Sequence, residues 1–232
     1  MATTSRMLRA LPITALLLVA LSTDRDSRAG APTATASATS AATSSPSIAL
    51  ALARARKEVE RQVSYDSTYR VLTFKDELDT GARVYPGGDL DPRYGVCTDV
   101  VVRGMRAAGV DLQQKVHEDA LAHPKAYPSI GTPDANIDHR RVTPVMSYFD
   151  RAAKSLPKGT TDAADRATWK AGDVVVWTFG VCPACHPEHI GWVSDRIGPR
   201  GLPLVIHNLG PHPTEDDDLD AWPILRHFRV LE

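Results

Sequence analysis

The sequence predicts an α+β fold in a single domain, and three observations support this. Apolar residues recur at helical spacing after Cys97, where Val100, Val101 and Met105 share one face. Apolar runs of strand length, separated by turn residues, fill the last third of the chain. The composition of the 232 residues, 43% hydrophobic and 24% charged, is typical of a globular domain with a sizeable core. We therefore expect a helix that begins at a cysteine to pack on an antiparallel sheet.

The first residues have the pattern of a secretory signal peptide. Arg6 and Arg9 precede an apolar run over residues 11–21, and small residues follow. The run is shorter than the roughly 20 apolar residues that a membrane span needs. We expect a signal peptide over 1–29, export to the periplasm, envelope or medium, and no stable membrane span after cleavage. An uncleaved anchor is the alternative interpretation.

An uncharged linker is expected between the signal peptide and the folded domain. Residues 30–47 consist of Ala, Ser, Thr, Pro and Gly, and such a segment cannot bury enough apolar surface to fold. We predict a flexible linker there and the folded domain over 48–232. A helix is expected from residue 48 to about 63, capped by Ser45 or Ser47.

The domain is expected to continue with two further helices and four strands. The helix after Cys97 ends near Gly109, a suitable C-cap, and a short helix is predicted over 147–156. Residues 124–144 are expected to be irregular, because they are rich in Pro, Gly, Asp and His. Residues 215–218 are expected to be a solvated acidic loop or helix start, with calcium binding as the alternative. Strands are predicted over residues 174–179, 189–195, 204–208 and 226–230.

Cys97 is the candidate nucleophile. A thiol at a helix N-terminus meets the partial positive charge of the helix dipole, which favours the reactive thiolate. The unpaired backbone N–H at the same position is suited to an oxyanion hole. A buried structural thiol is the alternative interpretation of Cys97.

Two histidines on successive predicted strands complete the candidate catalytic site. His189 begins one strand, and the small Gly191 leaves room on the same face. His207 lies near the end of the next strand, where it can hold the second ring nitrogen of His189 and fix its tautomer. Asn208 is the competing candidate for this orienting role. Taken singly, each histidine is more simply explained as a hydrogen-bonded residue at a strand end.

Further polar residues are candidates for substrate binding. Tyr94 precedes Cys97, and a dense polar block in the irregular region contains Asp138, His139 and Arg140. Loops on a rigid scaffold often bind ligands, whereas the alternative for this block is a hydrogen-bonded structural loop. The formal net charge of −1 argues against a nucleic-acid partner, which needs a basic face.

The three cysteines of the chain leave one unpaired if two of them form a disulfide. Cys182 and Cys185 are close enough to bond, and we expect this disulfide, with no metal and no cofactor. The run Cys182-Pro183-Ala184-Cys185-His186 also matches the attachment motif of c-type haem. Together with His189 it matches a zinc cluster, although four ligands within eight residues make a tight tetrahedron.

Six blocks of the sequence resemble a known bacterial family. They are GVCTDVVVRGMRAAGVDLQ, DANIDHRRV, WKAGDVVVWTF, HIGWVSD, LPLVIHNLG and HFRV. In this order they resemble the family catalogued as domain of unknown function 1287, which is itself similar to NlpC-type cell-wall cysteine peptidases with a papain-like core. The resemblance implies Cys97 as nucleophile, His189 as base and His207 as orienting residue. NlpC-type enzymes usually have Asp-Cys-Ser at the nucleophile, where this chain has Val96-Cys97-Thr98.

The resemblance and the predicted export together imply a papain-like cysteine hydrolase of the cell envelope. Its expected substrate is an amide bond in peptidoglycan stem peptides, cleaved through an acyl-enzyme on Cys97. Two alternatives stay open. One is a catalytically silent envelope-binding module, and the other is a zinc-dependent envelope hydrolase that uses Cys182 and Cys185.

Overall fold

A computed structural model of the chain describes residues 45–180 and 185–232. Within these ranges it contains five α-helices and a six-stranded antiparallel sheet, which confirms the predicted α+β class. The predicted signal peptide, most of the predicted linker and Cys182 lie outside the described residues. Among the described helices, none combines the length and the apolar character needed to cross a bilayer.

The elements follow one another along the chain with the helices mostly first. The helices are α1 (Pro46–Glu60), α2 (Cys97–Ala107), α3 (Leu112–Ala122), α4 (Val142–Ala152) and α5 (Ala163–Arg166). The strands of the main sheet are β5 (Lys154–Ser155), β6 (Asp173–Trp177), β7 (His189–Ile197), β8 (Pro203–His207), β9 (Thr214–Asp216) and β10 (Ile224–Arg229). Their order across the sheet is β5-β10-β6-β7-β8-β9.

Short elements connect α1 to α2 and α3 to α4. Strand β1 (Ser64–Tyr65) pairs in parallel with β4 (Tyr94–Gly95), and β2 (Phe74–Lys75) pairs antiparallel with β3 (Leu78–Asp79). Two 3₁₀ turns, Pro124–Ala126 and Asp138–Arg140, lie between α3 and α4. The β1–β4 pair matters for the site, because β4 ends just before Cys97.

Helix α2 packs on one face of the sheet through a glycine. The indole N–H of Trp192 donates to the Val100 carbonyl at 3.2 Å. A Cβ on Gly104 would lie 2.6 Å from Trp192 Nε1, so a side chain there would prevent this close approach. Ile190 and Trp192 belong to the core on the α2 side, together with Cys97. Alternation along β7 turns His189 and Gly191 to the opposite face, where Trp177, the pairing partner of His189, packs.

Buried ion pairs join α1 to α2. Arg103 Nη1 lies 2.5 Å from Glu58 Oε2, and Arg103 Nε lies 2.9 Å from Asp89 Oδ2. The side chains of Arg103 and Glu58 are each 1% exposed. Such charges are tolerated in a core only when they are paired, so this cluster fixes the position of α2 against α1.

Several element boundaries differ from the sequence predictions. Helix α4 begins at Val142 rather than at residue 147, because Pro144 falls in its first turn, where an N–H is not needed. Helix α3, capped by the Asp111 side chain on the Gln113 N–H at 3.0 Å, was not expected. The prediction of a loop or helix start over 215–218 is wrong for residues 215 and 216, because Thr214–Asp216 forms edge strand β9 against β8.

Candidate active site

Cys97 is the first residue of α2, as predicted, and a polar network fixes the start of this helix. The Asp99 carboxylate accepts the Val96 N–H at 2.7 Å and so caps the first turn. Arg140 Nε donates to Asp99 Oδ1 at 3.0 Å, and Thr98 Oγ1 donates to the Arg140 carbonyl at 2.8 Å. Hydrogen bonds to Asp99 and Arg140 therefore fix the backbone on both sides of the candidate nucleophile.

Burial sets the ionisation of the Cys97 thiol, which is only 5% exposed. Burial raises its pKa to about 12, and the Asp99 carboxylate acts in the same direction. The N–H groups of Ile190, Thr98 and Cys97 itself face the sulfur and lower the pKa, but by less. The net direction is opposite to the one expected from the helix dipole, because loss of water disfavours the thiolate more than these donors favour it.

His189 and His207 form a direct hydrogen bond. His189 Nε2 lies 2.8 Å from His207 Nδ1, and both side chains are buried. Gly191 makes this contact sterically feasible, since a Cβ at its position would lie 3.0 Å from His207 Cβ. Asn208 instead donates through Nδ2 to the Gly95 carbonyl at 3.4 Å and accepts the Gly210 N–H. Of the two candidates for the orienting role, His207 is the one in contact with His189.

Aromatic rings enclose the His189 imidazole. Its ring centroid lies 5.3 Å from that of Trp177, 5.8 Å from that of Phe179 and 5.8 Å from that of Trp222. Burial, with a smaller contribution from the neighbouring His207, lowers the pKa of His189 to about 3. Burial also lowers the pKa of His207. Both rings are therefore neutral near pH 7, and the aromatic wall keeps water from them.

The structure brings Cys97 and the histidine pair to the same end of β7 by different contacts. The Cys97 sulfur meets the peptide N–H of Ile190, which is bonded directly to the carbonyl of His189. The imidazole of His189 projects to the face that carries Trp177 and His207. The Cys97 side chain thus contacts the backbone of β7, whereas the His189 ring contacts the His207 ring on β8.

A groove of about 470 Å³ opens over Cys97. Tyr65, Tyr69, Arg141 and Glu188 line it, so its walls combine phenol rings with charges of both signs. Burial raises the pKa of Tyr65, and the nearby Cys97 and Asp99 act in the same direction. Neither tyrosine was predicted from the sequence, because only the parallel pairing of β1 with β4 brings Tyr65 beside the candidate nucleophile.

The other predicted binding candidates have largely structural contacts. The Tyr94 ring lies under the guanidinium groups of Arg70 and Arg93, with ring-centre distances of 5.2 and 5.6 Å. Asp138 is buried and accepts the Asp134 N–H at 2.6 Å.

Arg140 and His139 are also buried. Arg140 donates to the carbonyls of Thr68 and Asp66 besides its ion pair with Asp99. Burial lowers the pKa of His139 to about 4, so its ring is neutral near pH 7. These contacts favour the structural interpretation of the polar block, with Arg140 bracing the helix that carries Cys97.

Cys185 is disulfide-bonded, whereas Cys97 is free. A sulfur in a disulfide has no thiolate to offer a metal, so Cys185 in this state does not fit the zinc cluster considered from the sequence. Cys182 lies outside the described residues.

Comparisons with known proteins place residues 52–230 in one family. A family model described as a domain of unknown function (DUF1287) matches residues 52–230. A relative from Escherichia coli (strain K12), "Uncharacterized protein YijF", is 38% identical over 178 residues, which cover 75% of this chain and 78% of the relative. The matched range contains Cys97, His189 and His207. The chain belongs to the DUF1287 family.

Proposed function

We propose that the chain is an exported cysteine hydrolase, an amidase or endopeptidase that cleaves an amide bond of peptidoglycan stem peptides through an acyl-enzyme on Cys97. The observation that carries the proposal is the 2.8 Å hydrogen bond between His189 and His207 at the end of the strand that meets Cys97. A cysteine at a helix start, followed by a base histidine on one strand and an orienting histidine on the next, is also the order in papain-like NlpC-type peptidases, and this likeness supports the substrate class.

The proton route follows from the hydrogen bond of the histidine pair. With its proton on Nε2, His189 donates to His207 Nδ1 and keeps the lone pair of its own Nδ1 as the base. The thiol proton moves to this nitrogen while sulfur attacks the carbonyl carbon, and His189 then returns the proton to the leaving amine. Water releases the acyl group by the reverse route. Because both groups rest neutral, proton transfer accompanies the attack.

The groove offers contacts for a peptide that carries free carboxylates. The exposed Arg141 guanidinium can bind a carboxylate in a two-point contact. Tyr65 and Tyr69 can donate hydrogen bonds and pack against the peptide. This combination suits a short acidic stem peptide better than a polyanion, which needs a continuous basic face.

The proposal is tested by digestion of purified stem peptides, with products detected by liquid chromatography and mass spectrometry. We expect cleavage by the wild-type chain and none by Cys97→Ala. For His189→Ala we expect a loss of about 10²–10⁴-fold, the usual contribution of a general base. His123→Ala is the matched control, because this histidine is 49% exposed and pairs with Asp119 of α3, and its activity should be unchanged. Wild-type rates in folded Cys97→Ala would refute the mechanism.

A second candidate function is a catalytically silent binding module. The low exposure of Cys97 and the raised pKa of its thiol favour this alternative. In that case the wild type and Cys97→Ala would bind stem peptides with equal affinity, and neither would release products.

A further inference from the structure

Two carboxylates beyond the histidine pair converge on His207. His207, Asp216 and Asp218 each present a ligand atom, and these atoms lie within 4.8 Å of one another. The pairing of Val205 with Asp216 and of His207 with Thr214 puts Asp216 on the same face of the sheet as His207. Asp218 follows β9, and its Oδ2 lies 3.8 Å from His207 Nε2.

The second nitrogen of His207 lacks a partner. His207 Nδ1 is occupied by His189, whereas Nε2 has no hydrogen bond to any described residue. The side chain is 3% exposed, so water does not readily replace a partner. A buried ring nitrogen in this state is unusual in a folded protein, and here it points at two carboxylates.

The carboxylates of the cluster also lack a positively charged partner. The neighbouring carboxylates Asp217 and Asp220 are paired with Arg200. In contrast, no Arg or Lys of the described chain forms an ion pair with Asp216 or Asp218. We propose that His207 Nε2, Asp216 and Asp218 bind one divalent transition-metal ion of the Zn²⁺ class. An imidazole ligand favours such an ion over Ca²⁺ or Mg²⁺, which prefer oxygen ligands alone.

Metal binding at this site would set the proton position of the histidine pair, a consequence that rests on the proposed function. A metal on Nε2 leaves the His207 proton on Nδ1, so His207 becomes the donor to His189 Nε2. His189 then carries its proton on Nδ1 and has no lone pair left for the thiol proton. The metal is therefore expected to inhibit hydrolysis.

The binding site is tested by calorimetric titration of ZnCl₂ into the untagged, non-reduced chain. We expect one ion per chain, and a loss of affinity of about tenfold or more in Asp216→Asn and in Asp218→Asn. Asp220→Asn is the matched control, since its carboxylate pairs with Arg200, and it should bind like the wild type. Equal affinity in all variants, the absence of binding up to about 1 mM Zn²⁺, or Ca²⁺ binding as tight as that of Zn²⁺ would overturn the site.

Inhibition is measured separately, with stem peptides as substrate. Zn²⁺ inhibition that Asp218→Asn relieves and Asp220→Asn does not would support the link to the histidine pair. Equal inhibition of both variants would refute that link, because the metal would then act elsewhere, as on the Cys97 thiol. A chain that binds Zn²⁺ through the site but cleaves nothing would refute the proposed function and leave the metal site standing.

Discussion

The Cys97 thiol lies where two electrostatic effects oppose each other. Peptide N–H groups at the start of α2 and at Ile190 favour the thiolate, whereas burial favours the neutral thiol and raises the pKa to about 12. The same loss of water keeps His189 neutral, with a pKa of about 3. The thiol and the imidazole therefore both rest neutral and do not form the ion pair of an activated cysteine.

This charge state predicts the pH dependence of Cys97 alkylation by iodoacetamide. Since only the thiolate reacts, the rate in the native chain should keep rising above pH 9 towards the pKa of about 12. His189→Ala should not change the rate at pH 7, because the imidazole carries no charge there. Peptide mapping identifies the labelled cysteine. A rate that reaches its plateau below pH 7 and falls in His189→Ala would show a preformed ion pair and contradict this account.

The residue-scale chemistry was only partly predictable from the sequence. Cys97, His189 and His207 stood out by their order and by the elements they begin or end, and the structure brings the two histidines into contact. The aromatic wall of Trp177, Phe179 and Trp222 was not predictable, since no local pattern shows which rings a strand end will face. Nor was the direction of the Cys97 pKa, because it depends on burial, which spacing does not reveal.

At the scale of elements, the close packing of α2 against β7 depends on the absence of a side chain at Gly104. Gly104→Ala should lower the free energy of unfolding by about 1–3 kcal/mol, as overpacking does. The helix propensity gained, up to about 1 kcal/mol, offsets only part of the clash with the rigid Trp192 ring, 2.6 Å away. Hydrolysis should fall too, because α2 carries Cys97.

Chemical denaturation checks this prediction, with Gly131→Ala as the matched control. A Cβ at Gly131 meets no atom within 4 Å, so the control should stay within about 0.5 kcal/mol of the wild type. If Gly104→Ala is as stable as the control, the close packing of helix on strand is not required.

The buried ion pairs between α1 and α2 lead to a second prediction at the scale of elements. Arg103→Met removes the buried partner of Glu58 and Asp89, which keep only the more exposed Arg54 and Arg106. The loss should reach up to about 3–5 kcal/mol of unfolding free energy. Arg93→Met is the control, because Arg93 pairs with Asp91 while 76% exposed, and surface pairs contribute about 0–1 kcal/mol. Comparable losses in the two variants, measured by urea unfolding, would contradict the structural role of the buried cluster.

Periodicity predicted the elements with a strong apolar pattern better than those without one. α2 and the strands β6, β7 and β8 carry enough apolar residues to be recognised along the chain. Helix α3 was missed because polar residues interrupt its apolar face in LQQKVHEDALA. Strand β9, with the sequence TED, was missed because an edge strand facing solvent needs no apolar residue.

At the scale of the whole molecule, buried neutral histidines link folding to pH. The folded-state pKa values of His189 and His139, about 3 and about 4, lie below the ordinary value of 6.5. The unfolded chain therefore takes up protons first as the pH falls. Stability from these two groups is fully present above pH 6.5 and is lost as the pH falls through the interval down to about 3.

Urea unfolding at several pH values between 7 and 4 checks this linkage. We expect a smaller loss of stability on acidification in His139→Gln than in the wild type, because one proton-linked group is removed. His186→Gln should show the wild-type dependence of the unfolding free energy on pH, since this side chain is exposed. If His139→Gln also shows the wild-type dependence, the fold does not hold the His139 ring neutral.

The most direct test of the central claim, that Cys97 is the nucleophile of a hydrolase, is to trap the acyl-enzyme. The wild-type chain is mixed with a stem peptide, quenched in acid within the first turnover, and analysed by intact mass and peptide mapping. We expect a thioester on Cys97 in the wild type, with the mass of the acyl part of the peptide, and no adduct in Cys97→Ala. Hydrolysis without an adduct on Cys97, or hydrolysis that continues in Cys97→Ala, would contradict it.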